Sequence, residues 1–384
     1  MIRYILFSVI ILLSSFTWGQ NSSTRSTELP SWAFGGFERP ANINPIISPL
    51  QNTQFYCPIK KESIAWESND TFNPAAIVKD DKIVVLYRAE DNSGVGIGHR
   101  TSRIGYASSR DGIHFKRKAT PVFYPTNDAQ KDLEWTGGCE DPRIAETKEG
   151  MYVMTYTQWN RDIPRLAIAT SRNLIDWVKH GAAFAKAFEG KFFNLPCKSG
   201  SILTELNNDK QTIKVIDGHY FMYWGETHVY GATSTDLINW NPIVTEYGEL
   251  KPLFSPRDGY FDSLLTECGP PAIYTDKGII LLYNGKNHPD DRGDKRYTPN
   301  VYAAGQALFD KTDPTKFVTR LDEPFLIPID SFEKSGQYPD GTVFIEGLVF
   351  FKEQWHLFYG CADSSVGTAI FNPNHPAKRD PLPQ

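Results

Sequence analysis

Five stretches of the chain share one pattern of apolar and polar positions. "DKIVVLYRAED" (81–91), "GMYVMTYTQWN" (150–160), "GHYFMYWGET" (218–227), "KGIILLYNGKN" (277–287) and "EQWHLFYGCAD" (353–363) each run apolar into a tyrosine and then turn polar. Short runs rich in Ile, Val, Phe and Tyr, bounded by Gly, Asp and Asn, predict strands rather than helices. The aligned tyrosines are Tyr87, Tyr156, Tyr223, Tyr283 and Tyr359, spaced 60 to 76 residues apart. Another apolar strand precedes each unit: "NPAAIVK", "DPRIAET", "SGSILTE", "GPPAIYT" and "EGLVFFK". A third strand ends in a polar turn in "ASSRDGIHF" (107–115), "ATSRNLIDW" (169–177) and "ATSTDLINW" (232–240). Strand, turn, strand, turn, strand, often with a fourth, is the content of one propeller blade, and five copies predict an all-β, five-bladed β-propeller. A β-sandwich is the alternative, but it would not repeat its sequence so regularly.

In a propeller the first strand of each unit lines the central channel. Residues that open those strands, or that follow the aligned tyrosines, crowd one mouth of it. That places Arg88, Glu90, Asp91, Glu140, Asp141, Glu226, Glu267, Lys286 and Asp363 around a common funnel. Each has a plain structural reading. Asp141 in "GGCEDPRI" could cap backbone amides with Arg143 as its ion-pair partner. Arg88 and Asp91 could bridge two blades, and Glu226 and Glu267 could pair with Lys198 and Arg257. Glu140 is expected to orient Arg or backbone groups. His228 follows Glu226 closely enough to line the funnel, although a lone His is more often structural.

Composition narrows the field. A net charge of −5 with scattered Lys and Arg argues against a nucleic-acid surface. Aromatics make up 13%, which suits a β-rich protein and stacking on sugar rings, with Tyr302, Trp135 and Trp159 as candidate platforms. The charged stretch "HPDDRGDKRY" (288–297) reads as a solvated loop or a lid, and its acids lack the spacing of a calcium loop. No metal or other cofactor is expected. The five cysteines form no CxxC or zinc pattern and read as buried thiols. The N-terminus, "MIRYILFSVIILLSSFTWGQ", reads as a secretory signal peptide over residues 1–20. Its apolar stretch is short for a membrane span. The expectation is an exported protein, periplasmic or secreted, with residues 21–384 as one catalytic propeller domain and no membrane span after cleavage.

With "FNPAA", "LYRAED", "GGCEDPR", "ECGPPAI" and "YGCAD" in order from about Asn73 to Asp363, the chain resembles glycoside hydrolase family 130, the mannoside phosphorylases and β-mannosidases. The resemblance implies that Asp141 is the proton donor, acting through the 3-hydroxyl of the bound mannose. It implies that Asn73, Arg88, Asp91 and Asp363 hold that sugar; Arg143, Lys198 and His228 are further substrate-binding candidates. The family's phosphorylases commonly hold phosphate with a His in a "YHG" stretch, where this chain reads "YNG" with Asn284. Glu226 and Glu267 stand nearby, and carboxylates repel an incoming oxyanion but suit the activation of water. The pattern resembles the exported Bacteroides-type β-1,2-mannosidases. It implies an inverting, exo-acting β-mannosidase on β-1,2-mannosides, with Asp141 as acid and Glu226 and Glu267 activating water. A phosphate-dependent mannoside phosphorylase and a non-catalytic glycan-binding propeller are the competing functions. The arabinan- and xylan-degrading propellers lack this ordered set of motifs.

Overall fold

The computed structural model describes residues 28–381 apart from Ala377, so the leader expected at residues 1–20 lies outside the described residues. Among the described residues nearly all regular structure is strand; one short helix, Lys131–Glu134, and two 3-10 turns are the exceptions. No helix among them is long and apolar enough to cross a membrane.

Each predicted unit is an antiparallel meander. The first runs through Asp70–Lys79, Lys82–Glu90, Ser102–Ser109 and Lys116–Arg117. The second uses Gly138–Glu146, Tyr152–Trp159, Pro164–Ser171 and Trp177–Ala182. The third is Gly200–Ile202, His219–Trp224, Val229–Ser234 and Asn241–Pro242. The fourth is Ile273–Tyr274, Ile279–Lys286, Tyr302–Phe309 and Phe317–Arg320. The fifth has three strands, Val343–Phe351, Gln354–Cys361 and Ser365–Phe371. A segment near the N-terminus takes the fourth place there, with Glu38 bridged to Ile370 and Ile47 to Val366.

The aligned tyrosines explain why the unit repeats. Each lies in the second strand, directly across from a residue with little or no side chain in the third: Gly105, Ala167, Gly231, Gly305 and Gly367. A Cβ on Gly105, Gly305 or Gly367 would fall 2.3, 2.4 or 2.6 Å from the tyrosine ring, so the ring packs straight onto backbone. Buried phenols need a partner. Tyr87, Tyr156, Tyr283 and Tyr359 donate to Glu67, Glu134, Asp262 and Glu333 at 2.8–2.9 Å, and Tyr223 donates to the Pro314 carbonyl. Each of those buried acids in turn meets a cation. Arg117, Lys179 and Arg320 come from the fourth strands, and Arg39, 2.7 Å from Glu333, comes from the N-terminal segment.

Successive units touch in chain order. Ser102 bridges Gly138, Thr155 donates to the Gly200 carbonyl, Ser201 to the Pro270 carbonyl, and Asn284 brackets the backbone of Ile345. The fifth unit also packs on the first, so closely that a Cβ on Gly347 would come within 2.9 Å of Ala76. Apolar side chains fill the spaces between the sheets, and all five cysteines are buried and unpaired, as the sequence led us to expect.

Candidate active site

Three first strands slip register at the same point: between Phe72 and Pro74, between Glu140 and Arg143, and between Ile345 and Gly347. Asn73 (φ 45°) and Asp141 (φ 49°) take left-handed backbone there. A bulge releases one side chain from the ladder and re-aims it, and a following proline has no ladder amide to lose. The dipeptides Asn73-Pro74 and Asp141-Pro142 are therefore the local reason these side chains leave the sheet. Glu346, before Gly347, occupies the third bulge.

Asp141 is buried, and its Oδ1 accepts from Asn73 Nδ2 at 2.9 Å and from Arg88 Nη1 at 3.0 Å. Arg88 also donates to Glu90 (2.6 Å), Glu140 (2.8 Å) and Ser102 (3.0 Å), with its guanidinium over the Phe72 ring. Lys198 Nζ lies 3.5 Å from Glu140. Burial pushes the Asp141 carboxyl up, but Arg88, Lys198, Asn73 and Arg143 together outweigh it and bring it down to about 2. For Glu140 burial wins, and its carboxyl is raised. Asp363 is pushed up to about 7 by burial and by repulsion from Asp141 and Glu90, against the pull of Arg88 and Lys198.

The second group of acids belongs to the third and fourth units. Thr266 N donates to the Thr227 carbonyl and Cys268 N to the Gly225 carbonyl, both at 3.2 Å, so Glu226 and Glu267 oppose each other across the two segments. Ser199 Oγ donates to Glu267. Burial, then repulsion from Glu226, pushes Glu267 up to about 8; Arg143, Ser199 and Lys198 pull the other way. Repulsion between facing carboxylates adds to burial in favouring the neutral form of Glu267. Glu226 and His228, whose Nδ1 is 2.9 Å from Ser255 Oγ, line a cavity of about 300 Å³ with Trp224 and Tyr230. Lys286 sits over the Tyr302 and Tyr338 rings at 5.0 and 5.1 Å, and Tyr302 feels the charges of Glu267, Asp363 and Glu226.

Asn73, Arg88, Asp141, Lys198, Glu226, Glu267 and Asp363 thus converge, as expected of them. Two expected sugar ligands are otherwise engaged. Asp91 pairs with Arg103 at 2.8 Å and accepts from the Ser93 amide, while Glu90 takes the place beside Arg88. Arg143 spends its nitrogens on the carbonyls of Asp141 (3.1 Å), Gly269 (3.0 Å) and Cys268 (2.9 Å), which makes it a tie between strands. Asn284, across the ladder from Glu267, is buried with both ends of its amide on the Ile345 backbone. Of the candidate platforms, Trp159 is held by the Gly98 carbonyl. The 288–297 insertion pairs most of its charges internally, with Arg296 also reaching Glu323 at 2.6 Å, and is closed by Asn287 on the carbonyls of Asp294, Tyr297 and Thr298. Ser199 and Glu346 escaped the sequence reading. The signal for Glu346 was its alignment with Asn73 and Asp141 at the head of the same strand. Among the described residues no cluster of His, Cys, Asp and Glu is arranged to hold a metal ion.

Comparison with known proteins bears on this arrangement. A family profile for β-1,4-mannooligosaccharide phosphorylase of the glycoside hydrolase 130 type matches residues 37–374. A solved structure, from work stating that the GH130 family of mannoside phosphorylases contains glycoside hydrolases that target β-1,2 mannosidic linkages in Candida mannan, is 75% identical. It covers 93% of this chain and 99% of its own, with a TM-score of 0.92. A glycosyl hydrolase from Bacteroides ovatus is 73% identical over 93% of this chain and all of its own, with a TM-score of 0.91. A 1,2-β-oligomannan phosphorylase from Thermoanaerobacter sp. (strain X514) is 33% identical over 79% of this chain and 90% of that protein.

Proposed function

The chain belongs to glycoside hydrolase family 130, and on that premise we propose that it is an inverting, exo-acting β-mannosidase that hydrolyses β-1,2-mannosidic linkages of mannan-type glycans. The observation that carries the reading is the opposition of Glu226 and Glu267. A phosphate ion brought against two carboxylates would meet like charge at low dielectric, whereas a water between them is oriented and deprotonated.

Asp141 is the proton donor on this reading, with Asn73, Arg88, Lys198 and Asp363 around the sugar. Arg88, Lys198 and Asn73 hold its carboxyl down to about 2. Acting as the acid therefore requires that bound sugar loosen this cationic hold, because excluding water strengthens ion pairing as well as burial. Relay through the mannose 3-hydroxyl, implied by the family resemblance, lets a carboxyl fixed at a bulge reach the leaving oxygen. An inverting pair needs roughly 6.5–9.5 Å between acid and base so that a water fits.

Phosphorolysis is the second reading, favoured by the 33% identity to an oligomannan phosphorylase. β-1,2-Mannobiose incubated in phosphate-free buffer separates the two. Hydrolysis releases α-mannose first without phosphate; a need for phosphate, with mannose 1-phosphate as product, sinks the hydrolase reading. Asp141→Asn is expected to lower turnover at least about a hundredfold, as loss of a general acid does.

The same proposal extends to architecture and location. The contacts that run from each unit to the next, and from the fifth to the first, support a five-bladed β-propeller in one domain over 21–384. The N-terminal pattern supports cleavage of a leader and export to the periplasm or beyond.

A further inference from the structure

We infer that Glu346 is a positioning residue of this site: its carboxylate holds the Arg143 guanidinium between the strand of the proton donor and the strand of the base. The inference rests on the reading above. Arg143 and Glu346 are both almost fully buried, with Glu346 Oε1 2.9 Å from Arg143 Nη2. The other partners of Arg143 are carbonyls, one on Asp141 and two on Cys268 and Gly269, the residues that follow Glu267. Neutral acceptors orient a guanidinium but do not balance its charge, and a buried cation left unbalanced is strongly destabilising. Glu346 is the only carboxylate in ion-pair range of Arg143 among the described residues. Neither of its oxygens receives a well-directed hydrogen bond, so attraction to Arg143 is its principal tie. Its place is set by the backbone: Asn284 accepts from the Ile345 amide at 2.7 Å and donates to the Ile345 carbonyl at 3.1 Å, just before the bulge.

Burial, with Asp141 and Glu267, pushes the Glu346 carboxyl well up, and the Arg143 guanidinium 2.9 Å away, with Arg88, is what opposes them and holds its charge. The charged and titratable groups facing Glu267 are Glu226, Arg143, Lys198, Lys286, Tyr302 and Glu346 itself. Removing the Glu346 charge frees Arg143 to act on Glu267 and also relieves a repulsion, and both changes favour ionised Glu267. Glu346→Gln keeps the shape and deletes the charge. It is expected to lower kcat about tenfold or more with KM within about twofold, as a misplaced reacting group does. The acidic limb of its kcat profile is expected to move down by about half a pH unit or more. Glu346→Asp, which keeps the charge, is expected to restore the wild-type limb and part of the rate. A folded Glu346→Gln variant with wild-type kcat and pH profile overturns the inference, as does an equal loss in both variants with neither limb moved. If Glu346→Gln does not fold, Glu346→Asp decides alone: reduced kcat on a wild-type limb supports the inference, and wild-type kcat overturns it. Wild-type enzyme is assayed alongside with and without phosphate. Its failure without phosphate sinks the hydrolase reading, while the variants are still compared under whichever condition turns over.

Discussion

Asp141 and Glu267 are both buried and both feel Lys198 and Arg143, yet they hold protons in opposite ways because their nearest neighbours differ in sign. Glu267 faces Glu226, and Asp141 faces Arg88 and Lys198. The consequence for stability follows from proton linkage. Folded Glu267 binds its proton up to about 8, against an ordinary 4.5, so stability falls as pH rises through that window. Glu267→Gln removes the effect while keeping an acceptor for Ser199. The variant is expected to lose hydrolysis yet melt above wild type at pH 8, by on the order of a few kcal/mol, with the advantage gone near pH 4.5. Thermal melts across pH check this; a gap independent of pH sinks it. Asp141 behaves the other way, because its lowered carboxyl adds stability above its ordinary range that disappears as pH falls toward 2. These acids were legible in the sequence because they recur beside the aligned strands. Their partners were not, since ion pairs such as Asp91 with Arg103 or Arg143 with Glu346 depend on which way a side chain leaves the ladder.

At the scale of the element, the strands were readable and the bulges were not. Apolar runs ending in tyrosine mark the second strands, whereas a one-residue slip inside a buried strand leaves no trace in hydrophobic periodicity. Only the paired dipeptides Asn73-Pro74 and Asp141-Pro142 hinted at the slip, and Glu346-Gly347 reads as ordinary strand until the units are aligned. The glycine beneath the Tyr87, Tyr283 and Tyr359 rings is the complementary case, visible in sequence but explained only by register. Gly305→Ala would drive a methyl to 2.4 Å from the Tyr283 ring. It is expected to cost about 1–3 kcal/mol, as overpacking does, and to lower the melting temperature. An unchanged melt would mean that the ring can tilt away without loss.

Across the whole molecule the fifth unit depends on a segment about three hundred residues earlier in the chain. Arg39 reaches Glu333 at 2.7 Å, Asp380 at 3.0 Å and the Ile327 carbonyl at 2.7 Å, supplying the cation that fourth strands supply elsewhere. In "FERPANINPI" only Ala41–Asn44 alternates apolar with polar, between two prolines and too short to predict a strand, so this part escaped the sequence reading. Arg39→Ala strands the Glu333 carboxylate and is expected to cost about 3–5 kcal/mol, as breaking a buried pair does, with activity at low temperature largely kept. Melting curves check the first part, and mannose release at low temperature checks the second.

The pairing of Glu28 with Lys378 sets the two described extremities side by side. A short linker there, with a new opening at the exposed Asn208–Asp209 turn, would rewrite the order of the units along the gene without moving a single contact of the pocket. Such a circular permutant is expected to hydrolyse mannobiose as the parent does, since proximity of the ends in space, rather than their rank in the sequence, is what the architecture uses.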